Sequence, residues 1–118
     1  MLARLRHRKA IRAIATMIRD NFAETVVGRE QKLSAGLIYA AVVQNRALAE
    51  DLRAAGAVEG DHNSPVQRLA AAVSPSPAAV DEDLVLSCRD LPPAAIVEVV
   101  TFIALLQMLH RLEMYYAD

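Results

Sequence analysis

The sequence predicts an all-α fold: a compact bundle of about five helices laid around a long apolar helix at the C-terminal end. Three observations predict it. From Ala94 to Leu109 only Glu98, Thr101 and Gln107 are polar, and a helix apolar nearly all round must be surrounded on most sides. Near the other end, Ile11, Ile14, Ile18 and Phe22 recur at spacings of three and four, the helical period. Between them, Ser64-Pro65-Val66-Gln67 is a helix start with Ser at the cap, Pro at the first helical position and Gln placed to close a capping box. The 118 residues are enough for one domain, 1–118, with one core.

The first helix is expected over Leu2 to Val27, stopped by Gly28. It opens on a basic run, Arg4, Arg6, His7, Arg8 and Lys9, and nearly half of all Lys and Arg precede Asp20, the first acid. Such a run suits an anionic partner. No aromatic residue interleaves with it as stacking on single strands needs, so a solvated helix start is the better reading and nucleic acid is not expected as a partner. Arg29 to Leu33 read as a short polar connection or a helical turn. A second helix follows from Ser34 to Ala55, with a polar break at Gln44, Asn45 and Arg46 and a closing Gly56.

Glu59 to Asn63 read as a loop, and His62 beside Asp61 as a surface histidine rather than a metal ligand. The Ser64 helix runs to about Val73. Ser74-Pro75-Ser76-Pro77 then turns a tight corner. Asp81 caps a short helix to about Cys88, with acids in its first turn where the helix dipole favours them. Val80 and Leu84 are expected to clip together. Leu91-Pro92-Pro93 starts the closing helix, which at 1.5 Å per residue runs roughly 35 Å.

Composition narrows the function classes. A net charge of −1 gives no overall pull toward nucleic acid or membrane. The single cysteine, Cys88, excludes an intrachain disulfide, a Cys-x-x-Cys pair and a cysteine zinc cluster; beside a helix end it is expected to pack rather than react. A reduced, cytoplasmic protein with no metal and no cofactor is the expectation. No segment reads as a signal peptide, and the closing helix, unbroken only from Phe102 to Leu106, reads as a core helix rather than a span. Hydrophobic residues make up 54% of the chain but aromatics only 4%. Small side chains bury little area each, so a further copy of the chain is expected to cover the remaining apolar surface.

The polar residues of the closing helix are the candidate site. Gln107 and Arg111 share a face near its end, with His110 beside them. His110 is the candidate acid or base, and Gln107 and Arg111 would orient an anionic or carbonyl substrate. Glu98 points the opposite way from Gln107 and is a second candidate, since a carboxylate on an apolar helix needs a partner or a raised pKa. The plainer reading of both is structural: a hydrogen-bonded histidine and a partnered carboxylate.

From Leu37 to Arg111 the chain resembles the carboxymuconolactone decarboxylase and alkylhydroperoxidase D-like superfamily. The likeness rests on the Ala-rich helix, on Pro-Ala-Ala-Val with Asp81 and Asp83, on Leu91-Pro92-Pro93-Ala94-Ala95-Ile96-Val97-Glu98, and on Leu106-Gln107-Met108-Leu109-His110-Arg111, similar to a Phe-Asn-x-x-Asn-Arg closing helix. Peroxidase members carry Cys-x-x-Cys-x-x-x-His before Leu-x-x-x-Gly. Leu52 and Gly56 fit, but the thiol positions hold Ala41 and Gln44, and the histidine position holds Leu48. Glu30 stands near the place of the family's upstream glutamate. The resemblance therefore implies the fold, trimers or hexamers, and a small organic molecule in an interhelical or intersubunit pocket, without thiol peroxidase activity. A lactone decarboxylase-like activity is compatible with it. The alternative is a helical interaction or structural oligomer with no reaction of its own.

Overall fold

The structure, a computed structural model, describes residues 9–23 and 26–116. Its described residues form six α-helices and no strand: α1 (Lys9–Ala23), α2 (Arg29–Val42), α3 (Arg46–Ala54), α4 (Pro65–Val73), α5 (Glu82–Ser87) and α6 (Pro93–Tyr116). The all-α bundle around a long apolar C-terminal helix is thus present. The basic run Arg4, Arg6, His7 and Arg8 lies outside the described residues; Lys9 opens α1 and is exposed.

α1 lays Ile14 on α6 beside Leu109, with Ile18 packed against both. Phe22 meets Phe102 edge-on, their ring centroids 5.1 Å apart, a geometry favoured by the ring quadrupoles. Val26 and Val27 are not helical, so the helix does not reach its expected end at Val27. Val27 is instead turned into the core, 1% exposed. Gly28 does not stop α1 but stands at the N-cap of α2 in an extended conformation.

α2 begins five residues earlier than expected. Arg29 to Leu33 are its first turns, and Ser34 is a buried interior residue rather than a cap, its Oγ donating to the Val58 carbonyl at 2.6 Å. Gly36 likewise lies inside the helix. A Cβ there would meet Leu52 at 3.0 Å and Phe102 at 3.5 Å, so the missing side chain lets α2 approach α3 and α6 closely.

The expected second helix is two helices, which raises the count from five to six. At the break the Gln44 N–H donates to Ala41 O and the Asn45 N–H to Ala40 O, at 3.2 and 2.8 Å. This is the paired-bond ending that usually carries glycine in the left-handed position; here Gln44 holds it, at φ 56°. α3 ends in the same way on Gly56, at φ 106°, with the Ala57 N–H returning to Leu52 O.

Ser64 and Asp81 cap α4 and α5 through their side-chain oxygens, as their sequence positions predict. Leu84 is buried, but Val80 is 60% exposed and forms no clip with it. The Ser76–Pro77 bond is cis.

α6 touches α1, α2 and α4. Its Val99, Phe102, Ile103, Leu106 and Leu109 are at most 2% exposed. Pro93–Met114 is long and apolar enough to cross a membrane, but Glu98 and Glu113 are buried on it and three helices pack along it. One face stays open: Val97, Val100, Thr101, Met108 and Arg111 are exposed.

Candidate functional site

Glu98 sits in the first third of α6, facing the start of α2. Its Oε1 lies 3.0 Å from Lys32 Nζ and accepts the Val27 N–H at 3.2 Å. Lys32 is wholly buried and also donates to the Asn21 carbonyl. Asn21 Nδ2 in turn donates to the Glu98 backbone carbonyl at 3.4 Å. Burial pushes the Glu98 carboxyl up, but the bonds from Lys32 and Val27 and the Lys32 charge outweigh it and hold the group below its ordinary value. Glu98 is therefore an ionised, partnered carboxylate that ties α1, α2 and α6 together. Lys32 was hidden in the sequence because Arg29 to Leu33 read as a short polar connection or a helical turn; its place directly before the apolar and small residues Leu33 to Leu37, with which it forms the buried run of α2, was the available signal.

Gln107, His110 and Arg111 come together at the other end of α6. They line a hollow of about 310 Å³ with Tyr39 and Val43 of the α2 end and the Ser74–Ser76 corner. Gln107 Nε2 donates to the carbonyls of Val73 and Ser74 at 3.1 and 3.4 Å, finishing the end of α4. His110 Nδ1 lies 3.0 Å from Asn45 Nδ2. The Tyr39 ring stands edge-on to the His110 ring at 6.1 Å. Burial raises the Tyr39 phenol, and the nearby Arg111 charge pulls the other way. Tyr39 and Asn45 are the partners that the sequence reading missed. The polar break at Gln44–Arg46 marked Asn45, whereas Tyr39 gave no signal beyond being aromatic.

A second depression, a groove of about 280 Å³, lies between α2, α3 and the turn at Glu59–His62. Ile38, Ala41 and Ala49 give it an apolar floor, and Arg46, Arg53 and Glu59 are at its edges. Gln67, buried on its wall, spends Nε2 on the Gln31 carbonyl and has no partner at Oε1. Ala41 and Gln44 both line this groove, while Leu48 is buried in the core. Glu30 is exposed in the first turn of α2, where its charge suits the helix dipole.

His62 is exposed. Among the described residues no three of His, Cys, Asp and Glu gather around a common metal position. Cys88 is buried behind α4, its thiol reaching the Pro65 carbonyl at 3.9 Å. Burial pushes the thiol pKa up and the Arg68 charge only partly offsets it, so the sulfur stays protonated and unreactive.

Comparison with family models, with curated proteins and with solved structures gives no match for this chain.

Proposed function

We propose that this chain is a thiol-free relative of the alkylhydroperoxidase D-like proteins that binds a small organic molecule in the groove between α2 and α3. The groove itself carries the reading. It combines an apolar floor with a few polar groups at the edge, the usual make-up of a ligand site. Its volume of about 280 Å³ lies just under the lower bound of about 300 Å³ for drug-sized ligands, so the ligand is small. The positions that would carry the redox thiols hold a methyl group and an amide, so this site binds without thiol exchange.

The test is a methyl-resolved NMR titration with 1-naphthol, an apolar bicycle bearing one hydroxyl. Ile38, Ala41 and Ala49 are expected to shift together, and Ala41→Phe, which fills the floor, is expected to remove the effect. Shifts confined to other faces count against the groove.

A second reading has an observation of its own. Val97, Val100 and Met108 are 63%, 38% and 48% exposed, and with Ala104 they form one stripe about 16 Å long on α6. A second copy packing on this stripe would enclose the helix fully and give a homo-oligomer, with or without a ligand. Sedimentation equilibrium is expected to show a trimer or hexamer that dissociates in the V97E/M108E double variant. A monomeric wild-type chain at high concentration removes this reading and leaves the groove unaffected.

A further inference from the structure

We propose that the hollow between the ends of α2, α4 and α6 is a separate binding site for a small organic carboxylate, gripped by Arg111 and His110 over Tyr39. It lies across the Gln44–Asn45 corner from the groove and is independent of what binds there.

The charge of the hollow is one-sided. Its lining carries Arg111 and no carboxylate; Glu113 faces an adjoining depression with Asn45, Arg46 and Met114. Arg111 is exposed and makes no ion pair among the described residues. Arg111 lines the hollow together with the buried Tyr39, so the cation borders the space. A guanidinium suits a carboxylate because its N–H groups fork toward both oxygens.

The state of His110 follows from its neighbour. Asn45 Oδ1 is committed to the Leu48 N–H at 3.0 Å, capping α3. The amide therefore cannot flip without losing the cap, and its Nδ2, a donor only, faces His110 Nδ1 at 3.0 Å. Nδ1 must accept. The neutral ring then carries its proton on Nε2, and His110 offers a donor, not a base. A cation, an imidazole N–H and the apolar Val42, Val43 and Pro75 describe the complement of a carboxylate with a hydrocarbon body. Asn45 is a positioning residue in this site, acting through His110.

Benzoate is the probe. ¹⁵N-detected NMR of the imidazole is expected to show the Nε2–H form of His110 in the free protein and to shift on adding benzoate. Arg111→Gln, a change on the surface that leaves the fold intact, is expected to weaken benzoate about tenfold or more, the usual worth of a charge-assisted bond. Ala41→Phe in the groove is expected to leave benzoate binding unchanged. An unperturbed His110 at saturating benzoate, or equal affinity in Arg111→Gln, overturns the proposal. Loss of benzoate in Ala41→Phe alone places the anion in the groove, which also overturns it while leaving the groove reading standing.

Discussion

Glu98 and Gln107 lie nine residues apart on α6, two and a half turns, and so face opposite ways. Around Glu98 the chain closes: a wholly buried lysine and a backbone N–H meet the carboxylate, and an asparagine donates to the residue's backbone carbonyl. Around Gln107, His110 and Arg111 it stays open, with a hollow and an exposed cation at its edge. Both ends place polar groups on one apolar rod. At the first, each charge is met by another part of the same chain, which is what a structural clamp requires. At the second, the side chains hold each other in position but leave a cation facing space, which is what recognition requires.

The largest effect expected from this contrast is at the closed end. Glu98→Ala leaves Lys32 buried without its carboxylate and is expected to cost about 3–5 kcal/mol in urea unfolding. Replacing both, Lys32→Met with Glu98→Leu, is expected to recover most of that loss, because neither charge then has to be desolvated. A cost below about 1 kcal/mol for Glu98→Ala would mean that Lys32 reaches water, and the clamp would lose its meaning. The same pair sets a pH dependence. The folded Glu98 pKa is lowered from 4.5, so its contribution is complete above that value. It fades as pH falls through the lower folded value. Wild-type stability is expected to drop across that acid range more steeply than that of the double variant.

The smaller effect is at the open end. Asn45→Ala removes the α3 cap and the bond to His110 and is expected to cost about 1–2 kcal/mol. Asn45→Ser, which can still cap, is expected to cost less while releasing His110 from the Nε2–H form. Equal losses in both would show that the histidine contact carries the stability and the cap little.

Parts of this were legible in advance because they are local. Ser64-Pro65 and Asp81 cap helices wherever they stand, since the cap bond reaches only three residues along the chain. The break at Gln44–Arg46 was visible as polarity but not as a helix end, because the signal for such an end is glycine and Gln44 occupies its place. Ser34 misled for the opposite reason: its hydroxyl suits a cap, yet in the interior it is used across the fold on Val58. Gln107, His110 and Arg111 could be placed on one end of α6 by helical geometry alone. That Glu98 belongs to another system altogether required Lys32, 66 positions away.

The sequence by itself determined the helical class, the apolar closing helix and the absence of a thiol pair, since periodicity and residue identity need no partner to be read. Which polar groups meet was decided only by the tertiary structure: Lys32 with Glu98, Asn45 with His110, Tyr39 edge-on to His110. The reason is physical. A helix sets the direction of each side chain, but the cost of burying a charge and the room left beside an exposed one depend on what the other helices bring against it.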